Sequence, residues 1–310
     1  MRLITHVLIS ILSSGDLLGV FAQDPTAQLI TVDVHLVNTY FTVSNKKGHL
    51  ITKLARENFT VFEDGSEQVI TNFSRETDVP LTIVLVIDTS GSVRDKLRFE
   101  QQAAVGFLYT VLRRSRDKAA VFTFDSSVDL RQDYTDDPAL LAQAVIHTRA
   151  GGGTRLYDAL SLVLREKLAG DEERKVIILL TDGNDNSSRS SPQDVVEMAE
   201  RDSATIYAIS MNAVGTRSDD SERCDKLLEM LAGETGGKAF FPDTLKSLPA
   251  YFERISNELR SQYTLAYRST NPKKDGAFRK IQIDVKKNTH YSVRARSGYY
   301  APHEVTARRN

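Results

Sequence analysis

Cysteine is almost absent from this sequence. Cys224 is the only one among 310 residues, so the chain cannot form an internal disulfide, a thiolate zinc site or a Cys-x-x-Cys redox pair. Its stability must come from packing, with or without a bound metal. Free cysteines usually behave as small buried hydrophobic residues, and we expect this of Cys224 rather than a reactive thiol.

An excess of charge of one sign is also absent. The 40 lysines and arginines and the 41 acidic residues leave a net charge of -1, whereas nucleic-acid-binding domains usually carry a clear basic excess. A nucleic-acid partner is therefore not expected. The composition, with 41% hydrophobic and 26% charged residues, is typical of globular proteins. A length of 310 residues suits roughly two domains.

Hydrophobic runs long enough to cross a membrane are missing. The mostly apolar stretch 3–12 is followed by Asp16, which leaves it short of the roughly 20 apolar residues that a span needs. Small residues in the segment 20–22 stand where a signal peptidase cleaves. Residues 1–22 are therefore predicted to be a cleavable signal peptide that exports the protein to the periplasm or beyond. A misassigned start or a buried helix is the alternative.

The sequence does contain several short, nearly continuous apolar runs, which are typical of strands buried on both faces of a parallel sheet. These runs lie at 81–87, 119–124, 176–180 and 205–209. Helical patterns separate or follow them, near 104–112, 138–148, 157–168, 192–202, 222–232 and 245–261. Because strands that alternate with helices imply right-handed crossovers, residues 80–262 are predicted to form a doubly wound α/β domain. Its sheet would be mostly parallel, with helices on both faces.

The flanks of this domain have a different pattern. Residues 23–79 contain an alternating stretch at 32–36 and a Glu63-Asp64-Gly65 turn. Residues 263–300 again read as short strands joined by turns, and 301–310 form a tail. Neither flank has enough strands for a core of its own. We hypothesise that the two flanks pair into one small antiparallel β module, with the α/β domain inserted between them.

Oxygen-bearing side chains follow the buried strands. Asp88, Ser90 and Ser92 come directly after the first strand, and Asp182 follows the third. A glycine-rich loop that ends in Thr154 lies between them and leads into a helix. Ligands of open α/β sheets bind outside the carboxyl ends of the strands, so all five residues are predicted to meet at one edge. Two carboxylates and three hydroxyls suit a hard divalent cation that keeps some water ligands.

This set resembles the metal-ion-dependent adhesion site (MIDAS) of von Willebrand factor type A domains. The match consists of Asp88-x-Ser90-x-Ser92, then Thr154, then Asp182 within Thr-Asp-Gly, and it is complete at all five positions. The resemblance covers the whole predicted α/β domain. It implies that the two serines and the threonine bind the metal directly or nearly so, and that the aspartates bind it directly or through water.

The flanking segments extend the resemblance. Residues 59–65, 263–267 and 297–300 are similar to those of exported bacterial proteins of this kind described from acidobacterial genomes. The resemblance implies recognition rather than catalysis: the site would hold Mg²⁺ or Mn²⁺, with Ca²⁺ as an alternative. A partner protein would complete the coordination sphere with an exposed Asp or Glu. Nucleotide binding is not expected, because the glycines 151–153 lack the Gly-Lys-Ser/Thr ending of a P-loop.

Two other functions stay open at this point. A metal-dependent hydrolase or phosphoryl-transfer enzyme could use the same ion, but it would need a positioned base or nucleophile, and His147 is the one candidate nearby. A structural protein with a stabilising metal is the other. Asp95 and Asp185 are extra carboxylates near the same edge. We expect Asp95 to be solvated surface and the segment 125–127 to be a simple turn.

Overall fold

The computed structural model describes residues 36–75, 79–170, 174–212, 218–286 and 290–303. The strands in these ranges are β1 Leu36–Asn45, β2 Phe59–Glu63, β3 Ser66–Gln68, β4 Ile70–Ser74, β5 Leu81–Asp88, β6 Lys118–Phe124, β7 Val128–Thr135, β8 Arg174–Thr181, β9 Thr205–Ser210, β10 Ala239–Phe240, β11 Tyr263–Arg268, β12 Phe278–Val285, β13 Tyr291–Ala295 and β14 Gly298–Tyr300. The α-helices are α1 Leu97–Val111, α2 Pro138–Ile146, α3 Leu156–Val163, α4 Pro192–Arg201, α5 Asp219–Glu234 and α6 Leu248–Leu259. The predicted signal peptide 1–22 lies outside the described residues.

The central sheet has six strands in the order β10-β9-β8-β5-β6-β7. All neighbouring pairs are parallel except β6 and β7. Every residue of β5 and β8 is buried, because α1, α2 and α6 cover one face of the sheet and α3, α4 and α5 cover the other. The predicted fold class, a doubly wound α/β domain flanked by antiparallel β structure, is confirmed.

Two strands of this sheet were not predicted. Strand β7 is the antiparallel edge strand, and only single residues of it are apolar, as in Val128, Leu130 and Tyr134. Its pairing with β6 contains register shifts. Strand β10, at the opposite edge, has two residues. Edge strands are covered on fewer sides than central ones, so they carry no continuous apolar run that a sequence pattern could detect.

The strands of the two flanks pair with each other. One sheet has the order β13-β1-β11-β4 and another has the order β14-β12-β2-β3, so each contains strands from both sides of the α/β domain. Phe41, Phe59 and Tyr263 pack together between them, with ring centroids 5.0–5.4 Å apart. The strand predicted at 32–36 is described only from Leu36, where β1 begins. The domain boundaries themselves stay a prediction.

The chain turns sharply at Asp64-Gly65, as predicted, between β2 and β3. Both residues have positive φ angles, 49° and 81°, which suits the tight turns of β-hairpins. Among the described residues, no helix is both long and apolar enough to cross a membrane.

Candidate metal centre

The carboxyl end of β5 carries three of the predicted ligands. Asp88 is the last residue of the strand and is fully buried. Its Oδ1 accepts a hydrogen bond of 2.8 Å from the Ser90 N–H, which turns the chain back at the end of the strand. The Ser90 and Ser92 hydroxyl oxygens consequently lie 3.0 Å apart. Ser90 is buried and Ser92 is exposed, so the group is open to solvent on the Ser92 side.

The glycine loop lies directly beside this turn. The Gly151 N–H donates to the Thr89 carbonyl at 2.7 Å, and the Gly91 N–H donates to the Gly152 carbonyl at 3.2 Å. Gly152 has a φ of +83°, and a Cβ there would lie 2.8 Å from Ser126 Oγ, so only glycine suits this position. The same Ser126 oxygen accepts the N–H of the next glycine at 2.7 Å. The segment 125–127 therefore does more than turn the chain: it supports the glycine loop.

The end of β8 is tied to Asp88. The Thr181 hydroxyl donates to Asp88 Oδ2 at 2.6 Å and accepts the Gly183 N–H at 2.9 Å. Asp182 follows at once and is 6% exposed. Its Oδ1 accepts the Asn184 N–H at 3.1 Å. Asp182 is close enough to Asp88 for its charge to raise the pKa of the Asp88 carboxyl.

Thr154 is held by a residue that the sequence analysis did not select. Asn186 bonds both sides of the Thr154 main chain: its Oδ1 accepts the Thr154 N–H at 3.1 Å, and its own N–H donates to the Thr154 carbonyl at 3.2 Å. The Ser187 N–H donates to the same carbonyl at 3.1 Å. The partners are 32 residues apart, so no local pattern announces the contact. It fixes the loop that carries Thr154 against the loop that follows Asp182.

Asp185 caps the N-terminus of helix α3, which directly follows the glycine loop. Helix α3 has no side-chain cap from its own N-cap residue, Arg155. Asp185 Oδ1 accepts the Leu156 N–H at 2.8 Å and the Ser188 hydroxyl at 2.6 Å. A carboxylate at this position accepts the hydrogen bond of a free helix N–H and interacts favourably with the positive end of the helix dipole. Asp185, the extra carboxylate expected near this edge of the sheet, is therefore bonded to the N-terminus of helix α3.

Burial sets the electrostatics of Asp88. It raises the pKa of this carboxyl to about 6, although hydrogen bonds from Ser90 and Thr181 lower it, and the charge of Asp182 adds to the increase. The ionised form of Asp88 is thus disfavoured in the protein alone. A cation beside the carboxylate would favour it again.

The donor set fits a hard divalent cation. The five side chains offer only oxygen atoms, namely those of Asp88, Ser90, Ser92, Thr154 and Asp182. Neighbouring ligands of an octahedral ion with metal–oxygen distances of about 2.1 Å are about 3 Å apart, and the two serine hydroxyls have this spacing, 3.0 Å. The described residues contain no group of three or more His, Cys, Asp or Glu that could hold a metal, and a site of two carboxylates with hydroxyls requires none.

The remaining candidates lie outside this group. Asp95 is exposed. Asp125 Oδ1 accepts the Ser127 N–H at 2.8 Å within its turn. His147 is exposed, and its Nδ1 lies 2.6 Å from a carbonyl one turn earlier in its own helix. Cys224 is half-buried, and burial raises the pKa of its thiol, which does not favour a reactive thiolate.

Comparison with known proteins relates the chain to one family. Residues 82–254 match the model of the von Willebrand factor type A domain, which is more than half of the chain. Calcium-activated chloride channel regulator 3A-1 of Mus musculus is 30% identical over 189 residues, which are 56% of this chain and 19% of that protein. An uncharacterized protein of Synechocystis is 25% identical over 185 residues, 58% of this chain and 42% of that one. The chain thus spans less than half the length of these relatives.

Solved structures share the fold. Proximal thread matrix protein 1 from the mussel byssus has a TM-score of 0.52 at 20% identity, over 64% of this chain and 51% of that one. Another structure of that protein, with a TM-score of 0.50 and 21% identity over 64% and 50% of the chains, has zinc in its MIDAS motif. A von Willebrand factor type A protein from Catenulispora acidiphila has a TM-score of 0.50 at 15% identity, over 89% and 76% of the chains. The chain belongs to the von Willebrand factor type A domain family.

Proposed function

We propose that this protein is an exported recognition module that binds a partner protein through a divalent cation. The cation is Mg²⁺ or Mn²⁺, with Ca²⁺ as an alternative. Its ligands in this chain are Asp88, Ser90, Ser92, Thr154 and Asp182, and an Asp or Glu of the partner completes the coordination sphere. For export through residues 1–22, N-terminal sequencing of protein recovered outside the cytoplasm should give Gln23 as the first residue.

The spacing of the two serine hydroxyls carries this proposal. Their oxygens lie 3.0 Å apart, next to a buried carboxylate. Ser92 is exposed while Asp88 is not, so the buried carboxylate lies beneath the site and the neutral hydroxyl of Ser92 lies towards solvent. The two aspartates of the set roughly neutralise a divalent ion, and the hydroxyls add no further charge. The ion therefore stays electrophilic enough to accept an incoming carboxylate.

The loops around Ser92 would set the specificity. Gly91, Asn184 and Asn186 are all exposed near the site, and they come from the loops after β5 and β8. Loops on a rigid sheet are the usual carriers of recognition. A partner that places its carboxylate on the ion would contact these exposed residues.

The test uses acidic peptides with matched neutral members. A peptide library in which each Asp or Glu sequence has an Asn or Gln counterpart is passed over the immobilised protein in Mn²⁺, in Mg²⁺ and in EDTA. We expect the wild type to retain only the acidic peptides, and to retain them only when metal is present. This retention should vanish in Asp88→Ala and Asp182→Ala. Asp95→Ala removes an exposed acid of the loop that carries Ser92 and should bind like the wild type. Equal retention in EDTA would refute a metal-mediated contact.

The two alternatives give different results in solution. If the metal were purely structural, Mn²⁺ would raise the melting temperature of the protein, but the protein would retain no acidic peptide. A hydrolase turns over phosphoesters or peptides and loses this activity in Asp88→Ala. No observation in the described residues favours the hydrolase, since His147 is already against a carbonyl of its own helix.

A further inference from the structure

Helix α1 buries an acid for which the proposed ligands leave no role. Glu100 lies in the first turn of α1 and is 0% exposed. Among the described residues, neither of its carboxyl oxygens has a hydrogen-bond partner. The other buried residues of α1 are all apolar: Leu97, Ala103, Ala104, Phe107, Leu108 and Val111. A residue that served packing alone would be apolar here as well.

The cation that acts on Glu100, Lys96, does not compensate its charge by a direct bond. Lys96 influences the carboxyl electrostatically, but its Nζ donates to the Met211 carbonyl at 2.7 Å. A buried carboxyl without a partner costs free energy, and native proteins keep few such groups without a reason. No described residue therefore supplies the missing partner, whereas a bound ion or its water ligands can.

The electrostatic surroundings of Glu100 point to the metal centre. Burial raises the pKa of its carboxyl well above the usual value, the charges of Asp88 and Asp182 raise it further, and Lys96 lowers it. Three acids from the end of β5, the end of β8 and the start of α1 thus act on one another. When all three acids are ionised, they and the ammonium of Lys96 carry two uncompensated negative charges, which one divalent cation would neutralise.

We propose that Glu100 is an acidic positioning residue of the metal centre, which strengthens cation binding without touching the ion. This inference rests on the metal site of the proposed function. The acids do not converge into a set of three direct ligands, since no such group exists among the described residues. Glu100 would instead lie behind the direct ligands. Mg²⁺ usually keeps several water ligands, and an acid in this position can accept hydrogen bonds from these waters and from the protein ligands.

The experiment compares metal affinity with stability in the full chain, with Mn²⁺ and Mg²⁺ as the only probes. Titration calorimetry and thermal unfolding are carried out on the wild type, Glu100→Gln and the control Asp95→Asn, which removes the same charge from an exposed position of the same segment. We expect Glu100→Gln to bind either ion roughly 10- to 100-fold more weakly, and Asp95→Asn to stay within about twofold of the wild type. Wild-type affinity in Glu100→Gln would overturn the inference.

Two further variants separate the outcomes. Asp88→Ala should lose metal binding; if it does while Glu100→Gln binds normally, the Glu100 inference fails and the proposed function stands. If the wild type itself binds neither ion, both fail. Glu100→Leu matches the apolar face of α1 and replaces Glu100→Gln if that variant does not fold. For a residue that only packs, Glu100→Leu would raise the melting temperature in EDTA and leave metal affinity unchanged, and this result also refutes the inference.

Discussion

At the scale of single residues, Asp88 combines burial with a proposed role as a metal ligand that requires its ionised form. Its pKa is raised to about 6 from 3.8, so the folded protein holds this proton more tightly than the unfolded chain does. A group of this kind stabilises the fold at low pH, and its contribution decreases as pH rises through the unfolded and then the folded pKa. Without metal, Asp88 should therefore destabilise the protein increasingly between pH 4 and pH 7.

The direction of this pH dependence can be measured with Asp88→Asn, because the asparagine side chain does not titrate. In EDTA, the wild type should lose about 2 kcal/mol of unfolding free energy relative to the variant between pH 4 and pH 7. Urea unfolding of both proteins at several pH values gives the difference. The comparison cancels the titrating groups that do not interact with Asp88, because they are common to both chains. If the unfolding free energies of the two proteins changed in parallel with pH, the burial of Asp88 would not raise its pKa, which would contradict the prediction.

At the scale of elements, the site depends on loops that hold one another. The loop after β8 binds the glycine loop through Asn186, which bonds both the N–H and the carbonyl of Thr154. The loop after β6 supports the same glycines through Ser126. The proposed oxygen ligands are therefore already held in place by the protein, and a preformed site loses less free energy on ordering when it binds an ion.

Asn186→Ala should consequently weaken metal binding without unfolding the domain. The loss of one hydrogen bond to the Thr154 loop corresponds to about 1 kcal/mol, or roughly fivefold in affinity. Mn²⁺ titration of the variant measures this effect. Asn184→Ala is the matched control, because Asn184 is an exposed asparagine of the same loop whose bond to Asp182 comes from its main chain. Equal affinities of the two variants would contradict the role of Asn186.

At the scale of the whole molecule, the β module and the α/β domain share partly buried polar contacts. The Ser297 hydroxyl donates to Glu200 of α4 at 2.6 Å. Arg294 of β13 pairs with Glu258 of α6, which also accepts the Tyr207 hydroxyl at 2.7 Å. The hydrophobic clusters are nevertheless separate, with two on the faces of the central sheet and a third within the β module.

Separate clusters predict that residues 80–262 fold without the flanks. The fragment should keep its circular dichroism and its Mn²⁺-dependent rise in melting temperature. It should be less stable than the α/β domain of the full chain by roughly 2 kcal/mol, because Glu258 loses its arginine. Denaturant unfolding of the fragment and of full-length Arg294→Ala, which removes only this partner, would show how much of the loss this pair explains. An unfolded fragment would mean that the two units form one folding unit.

Much of this architecture could be predicted from hydrophobic pattern. The central strands β5, β6, β8 and β9 are buried on both sides, so burial appears directly in their sequences as apolar runs. The edge strands β7 and β10 could not be found in this way, since an edge needs no apolar run. Whether a short apolar stretch joins one sheet or another also depends on partners that are distant in the chain.

The sequence by itself determined the fold class and the five oxygen-bearing residues proposed as ligands, because strand periodicity and residue chemistry are local properties. Which groups support those residues was decided only in three dimensions. Ser126, Asp185 and Asn186 acquire their roles from contacts across 27 to 32 residues. Glu100 differs from a surface acid of an amphipathic helix only in which side of α1 faces the sheet. Burial and long-range contact are properties of packing, and residue type alone does not encode them.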